Sequence, residues 1–281
     1  MAETVGQLVA QGINRLREAG VENPQLDTQL LAAHALGITR NDVIAHPERT
    51  LTQEESRHIS ALFTERELRR PLAYVLGHKE FFGLDLYVTP AVLVPRPETE
   101  VLVETVLARV EKPNSTVADV GTGSGAIALA IATRIPEACV YALDSSADAL
   151  QVARANFAKH AADILTMEGN LVDPLKTLGT QFHAIVSNPP YVPSATINEL
   201  QPEIALWEPR CALDGGVDGL DMYRQLVPSA FDVLEKDGFL ALEVGHGQAA
   251  AVAEIAKSCG FVRVETASDL AGVERVVIAW A

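Results

Sequence analysis

Cysteine, basic charge and long apolar runs are all scarce in this chain, and each scarcity argues against a class of protein. Cys139, Cys211 and Cys259 are widely spaced and odd in number, which favours reduced thiols over a disulfide framework or a Cys-x-x-Cys metal site. His34, His46, His58, His78, His160, His183 and His246 show no ligand spacing with carboxylates or cysteines, so no metal is expected. Charge or glycine interrupts the apolar runs well short of a membrane span, and Met1-Ala-Glu-Thr lacks the basic start of a secretion signal. A cytoplasmic location is the expectation. Lys and Arg number 22 against 37 Asp and Glu, a net charge of −15, and such a field repels a phosphate backbone. This counts against DNA as a partner. The local run Arg66-Glu-Leu-Arg-Arg70 could form a basic patch, but it is read as a solvated helix face.

What the chain has is apolar content: 48% hydrophobic against 21% charged over 281 residues, enough for a substantial core and more than one domain. Its periodicity changes near residue 75. Before that point Val5 to Ala19, Gln25 to Ala35, Asn41 to Ala45 and Gln53 to Arg69 carry apolar residues at three- and four-residue intervals, which predicts helices. Gly20 can end the first, Pro24 can begin the second, and Thr52-Gln-Glu-Glu55 has the pattern of a capping box. Residues 79 to 93 alternate as strands do, with a hairpin around Gly83 or Asp85. The expected organisation is a helical bundle at 1–75, a β-hairpin linker at 76–93 and a second domain at 94–281.

In that second domain, strands near 116–119, 140–144, 163–167, 184–187, 239–244, 262–266 and 275–280 alternate with helices. This predicts an α/β, doubly wound, Rossmann-like sheet of seven strands, whose ligands lie beyond the carboxyl ends of the strands. Three candidate site segments fall there. Asp119-Val-Gly-Thr-Gly-Ser-Gly125 joins a buried strand to the apolar helix Ala126 to Ile135, so Gly121, Gly123 and Gly125 sit where backbone can approach a ligand at a helix N-terminus. Gly-x-Gly-x-Gly is not the Gly-x-Gly-x-x-Gly of nicotinamide enzymes, which counts against a dehydrogenase. Asp144 ends the next strand, ~20 residues beyond the last loop glycine, where a ribose-binding acid belongs; the alternative is a cap for the helix beginning near Ser146.

The third segment is Asn188-Pro189-Pro190-Tyr191. The Asn188 side-chain oxygen and a backbone carbonyl of the proline pair can each accept one N–H of a planar nitrogen, Pro190 cannot donate, and Tyr191 is expected to pack on the planar group. The alternative is a turn that merely ends a strand. Together with the glycine loop, the segment points to methylation of an amide or amino nitrogen.

These residues resemble the class I methyltransferases that use S-adenosylmethionine. Pro71 to Gly77, Glu80-Phe-Phe-Gly83, Val92 to Glu100, Glu208 to Gly216 and Leu242-Glu-Val-Gly245 narrow the resemblance to the protein glutamine methyltransferases called HemK or PrmC, from about residue 65 to the end. The resemblance implies S-adenosyl-L-methionine held by Asp119, Gly121, Thr122, Gly123, Ser124, Gly125, Asp144, Asn170, Leu171 and Asn188. It implies the glutamine of the Gly-Gly-Gln loop of peptide chain release factors as substrate, methylated on N5, with a role in translation termination. Asn188 and Pro189 are then catalytic, and Asn188 to Tyr191 bind the substrate. Asn170-Leu171 departs from the acidic and aromatic pair often found there, which leaves the adenine contacts open. The helical domain is implied to dock the release factor, the alternative being a scaffold, and a monomer is expected.

Two further places stay open. Glu98 and Glu100 can simply favour a helix N-terminus ahead of Val101 to Val110, or Arg96 and Glu98 can orient a loop at the cofactor pocket, as the resemblance implies. Glu243 can brace the site or cap the helix after Gly247. The expected reaction is direct methyl transfer without a general base, since a methylated amide nitrogen is acidic enough to lose its proton. The rivals are an adenine amino methyltransferase on DNA or RNA and a module that binds cofactor without transferring anything.

Overall fold

Threonine begins three helices in the first part of the chain. In this computed structural model, which describes residues 3–110, 112 and 114–281, these elements are α1 (Val5–Glu18), α2 (Pro24–Leu36), α3 (Arg40–Ala45), α4 (Gln53–Glu67) and α5 (Leu72–Leu76). Thr4, Thr39 and Thr52 accept from the backbone N–H three residues on, while Gln7, Asp42 and Glu55 reach back to the cap. Each pair satisfies two helix-end donors. α2 opens on Pro24, whose missing N–H costs nothing there. Leu16, Leu31, Ile59 and Phe63 bury themselves fully between α1, α2 and α4.

Residues up to Gly77 form one compact unit together with Gln201–Trp207. That later segment explains why Arg66 to Arg70 is not the solvated face expected. The Arg66 side chain is 6% exposed and pairs with Asp27 and Glu203, both at 2.8 Å, while Arg69 donates twice to Glu203. A guanidinium removed from water persists only when paired. One carboxylate comes from far along the chain, which a local charge pattern cannot reveal.

The second unit, His78–Leu200 with Glu208–Ala281, opens with the hairpin β1 (His78–Phe81) and β2 (Leu84–Tyr87), turning at Phe82-Gly83. The alternation read through residue 93 does not continue as strand, because Pro90, Pro95 and Pro97 cannot donate to a ladder. There follow α6 (Thr99–Leu107), β3 (Thr116–Val120), α7 (Ala126–Arg134), β4 (Cys139–Asp144), α8 (Ala147–Lys159), β5 (Ile164–Glu168), α9 (Asp173–Lys176), β6 (Phe182–Ser187), α10 (Pro202–Trp207, in the first unit), α11 (Asp221–Phe231), β7 (Leu234–Glu243), α12 (Ala249–Ser258), β8 (Arg263–Ser268) and β9 (Glu274–Trp280).

The seven strands β3 to β9 form one sheet in the order β5-β4-β3-β6-β7-β9-β8, parallel except for β9, which runs against both neighbours. Side chains alternate across it, as the pleat requires. Val117, Val140, Ala184 and Phe239 pack on one face with Leu102 of α6 and Ile127 of α7. Ala118, Leu143, Ile185 and Leu240 pack on the other with Leu226 of α11 and Val252 of α12. From β3 the chain runs outward to β4 and β5, then returns to β6 on the far side of β3. The loops leaving β3 and β6 therefore diverge, and a crevice opens at the carboxyl ends of the strands.

Candidate active site

The loop after β3 is held from beneath. The Asp119 side chain is completely buried, and its Oδ2 accepts from Thr122 Oγ1 at 2.6 Å and from the Ala128 N–H at 3.1 Å. Burial pushes this carboxyl up to about 7 against those two bonds, with the Asp144 charge adding to the rise. Strand β4 supplies the other anchor: the Gly121 and Thr122 N–H groups donate to the Leu143 carbonyl, and the Gly123 N–H donates to Asp144 Oδ2 at 2.9 Å. Gly125 has φ +81°, and a Cβ there would lie 2.5 Å from the Phe157 ring. Asp119 and Gly125 thus shape the loop from below, whereas Gly121, Thr122, Gly123 and Ser124 line the crevice.

That crevice is a cavity of about 460 Å³ into which the expected segments converge. Asp144, Asn170 and Leu171 line it on one side of the glycine loop, and Asn188, Pro189 and Pro190 on the other. Asp144 is not the cap of α8. Its Oδ1 accepts from the Ser146 N–H at 2.9 Å, while Ser146 Oγ caps the helix through the Ala149 N–H. Leu171 adopts left-handed backbone, φ +48°, at the turn after β5. Arg96 also reaches the cavity wall and pairs with Glu208, whose side chain is 1% exposed and whose Oε2 accepts from the Val94 N–H. Burial raises the Glu208 carboxyl above the usual carboxylate range, with Arg96 opposing the rise. Arg96 rather than Glu98 therefore fixes the loop ahead of α6, and Glu100 accepts from the Phe82 N–H of the hairpin turn.

The Asn-Pro-Pro-Tyr segment is fixed by side chains outside it. Ser187 Oγ donates to the Val120 carbonyl at 2.6 Å, Gln248 Nε2 donates to the Tyr191 carbonyl at 3.0 Å, and Asn188 Nδ2 donates to Thr99 Oγ1 at 3.1 Å. The Tyr191 hydroxyl donates to Glu243 Oε1 at 3.3 Å, because a carboxylate buried to 2% exposure draws donors to itself. Burial pushes Glu243 up to about 7, opposed by the Thr99 and Tyr191 hydroxyls and the Arg275 charge, with Glu98 adding to the rise. Glu243 does not cap the following helix, where Gln248 Oε1 accepts from the Gly245 N–H instead. Its geometry is that of a brace.

Comparison with known proteins decides the family. Residues 7–77 match the PrmC N-terminal domain and residues 97–204 the methyltransferase small domain. The release factor glutamine methyltransferase of Geobacter sulfurreducens is 45% identical over 263 residues, covering 93% of this chain and 91% of the relative. This chain belongs to the release factor glutamine methyltransferase family. The Moorella thermoacetica member is 43% identical over 281 residues, covering 99% of this chain and 98% of its own. A methyltransferase from Pyrococcus furiosus shares the fold, with a TM-score of 0.54 at 20% identity over 80% of this chain and 97% of that one.

The cofactor of this methyltransferase is S-adenosyl-L-methionine, and the crevice fits it. Gly121 and Gly123 have positive φ and, among the described residues, nothing within 4 Å of where a Cβ would stand, so ligand atoms can reach the backbone. The α7 N-terminus and the Asp144 carboxylate supply complementary polarity for a ligand that has a carboxylate, an amine and ribose hydroxyls. Thr99 and Glu208 are site residues that sequence reading did not single out. Their partners lie far apart in the chain, and the only local signal was their place in the Arg96 to Glu100 and Glu208 to Gly216 runs.

Proposed function

We propose that this enzyme methylates N5 of the glutamine in the Gly-Gly-Gln loop of peptide chain release factors, with Asn188 and Pro189 holding the acceptor nitrogen. The observation that carries the reading is the orientation of Asn188. Its Nδ2 is taken up by Thr99 Oγ1, so its Oδ1 is the atom available to accept from a ligand in the cavity. When bound, S-adenosyl-L-methionine supplies a methyl group on a positively charged sulfur. Asn188 Oδ1 and the Pro189 carbonyl each accept one N–H of the substrate amide, which weakens the delocalisation of its lone pair and aligns the nitrogen. Alignment of this kind is worth up to ~7 to 11 kcal/mol in favourable systems. Pro190 has no N–H to compete for the Pro189 carbonyl. Neither acceptor is a base, and the alkylated amide is acidic enough to lose its proton to water.

The helical unit is proposed to dock the release factor, supported by its match to the PrmC N-terminal domain over residues 7–77. The chain's net charge of −15 suits a partner that presents basic surface. The reading implies a monomer working in the cytoplasm. Asn188→Ala is the test: turnover on a release factor should fall by about 100-fold or more, as for loss of a single transition-state hydrogen-bonding group, with little change in cofactor affinity. Near-normal turnover in that variant would sink the assignment.

A further inference from the structure

Gln248 stands at the start of α12, where its backbone carbonyl accepts from the Val252 N–H at 3.0 Å. Its side-chain amide reaches three loops: the one after β6, the one ahead of α11 and the one after β7. Oε1 accepts from the Gly245 N–H at 3.0 Å, while Nε2 donates to the Tyr191 carbonyl at 3.0 Å and to the Gly219 carbonyl at 3.4 Å. One backbone donor and two backbone acceptors fix which end of the amide faces which loop, and a carboxamide has the donors and the acceptor to answer all three. Glycine makes room for it. A Cβ on Gly219 would stand 2.4 Å from the Tyr191 carbonyl oxygen and 2.6 Å from Gln248 Nε2, and one on Gly245 would stand 2.8 Å from Gln248 Oε1.

Resting on the assignment of Asn188 and Pro189 as the groups that hold the acceptor nitrogen, we propose that Gln248 is a positioning residue for methyl transfer, acting on the Pro189 carbonyl through the Tyr191 peptide. Pro189 and Pro190 have no N–H to tie down, and their rings restrict φ to about −65°. The segment is therefore a stiff piece of chain whose place is set at its two ends. At the first end Ser187 Oγ donates to the Val120 carbonyl. At the second, the Val192 N–H donates to the Leu213 carbonyl and the Val192 carbonyl accepts from the Gly215 N–H, both at 2.9 Å. That pairing ties the segment to the stretch leading to Gly219, which is itself a loop. Gln248 ties both to the end of a helix whose Ala249, Val252 and Ala256 are buried in the core on one face of the sheet. The amide thus sets where the Pro189 carbonyl sits at the cavity wall, and a shift of ~1 Å in a site costs on the order of 100-fold in rate.

The test compares wild type with Gln248→Met, Gln248→Glu and Asn188→Ala, each measured for kcat and KM on a release factor, for cofactor affinity by calorimetry and for thermal unfolding. Methionine keeps the length and loses all three bonds. Glutamate keeps the acceptor for Gly245 but turns an oxygen without a hydrogen on the Tyr191 and Gly219 carbonyls. Gln248→Met should lower kcat by about tenfold, the scale of one hydrogen bond. Gln248→Glu should lower it by about 100-fold, because facing oxygens push the segment away where a missing donor only loosens it. In both, KM and cofactor affinity should stay within about threefold of wild type, the mark of an interaction that serves the transition state. If the methionine variant does not fold, Gln248→Glu, which retains the Gly245 bond, decides. A wild-type kcat in folded Gln248→Glu overturns the proposal, as does a loss spread equally over kcat, KM and cofactor affinity, which would make Gln248 a general scaffold residue. Slow turnover in Asn188→Ala with normal turnover in both Gln248 variants overturns this inference and leaves the Asn188 assignment standing, whereas near-normal turnover in Asn188→Ala overturns both.

Discussion

Glu243 shows at the scale of one residue how this site sets stability against function. Its carboxyl moves from an ordinary value of 4.5 to about 7 because burial penalises the charge. Between those values the folded protein holds a proton that the unfolded chain has released, so stability is greatest below about pH 4.5 and falls as pH rises through about 7. The full contribution is on the order of 3 kcal/mol. Asp119, moved from 3.8 to about 7, acts in the same direction. Glu243→Gln removes the titrating charge and should therefore unfold at higher urea than wild type above neutral pH, with a smaller decline between mildly acidic and mildly alkaline solution. Urea titrations at both ends of that range check it, and an unchanged pH dependence would show that Glu243 is not the buried charge described. The Tyr191 hydroxyl, whose pKa burial raises, stays a donor throughout.

At the scale of elements, the readable parts of the site were those carried by one stretch of chain. The glycine loop, Asp144 and Asn188 to Pro190 each end a strand whose alternation is plain in the sequence, and parallel strands bring their ends to one edge. What was not readable depends on which way a side chain turns and on partners far away in the chain. Tyr191 follows Pro190, and a buried carboxylate on β7 takes its hydroxyl. Asn156 of α8 belongs to the same class. Its Oδ1 accepts from the Tyr87 N–H and its Nδ2 donates to the carbonyls of Tyr87 and Ser124, tying the hairpin to the glycine loop. The residue is fully buried, so truncation strands three backbone groups, each costing about 1–3 kcal/mol if left unpaired. Asn156→Ala should lower the unfolding free energy by about 3 kcal/mol and weaken S-adenosylmethionine binding, checked by thermal denaturation and calorimetry. A variant as stable as wild type would show that water replaces the lost amide without cost.

At the scale of the whole molecule, strand count and layer order followed from periodicity alone, because seven apolar strands alternating with helices have few ways to pack. The excursion Gln201–Trp207, which returns to the helical unit, did not follow. It is short, and its link to that unit rests on Glu203 meeting Arg66 and Arg69, a pairing without local pattern. The family assignment and the chain's acidity both favour a protein acceptor over nucleic acid. The most direct measurement incubates the purified enzyme with methyl-labelled S-adenosylmethionine and a release factor, comparing the native Gly-Gly-Gln loop with its Gln→Ala variant and running duplex DNA in parallel. Label on the native loop alone is the expected result. Label on the DNA, or equal label on the Gln→Ala loop, would contradict glutamine as the acceptor.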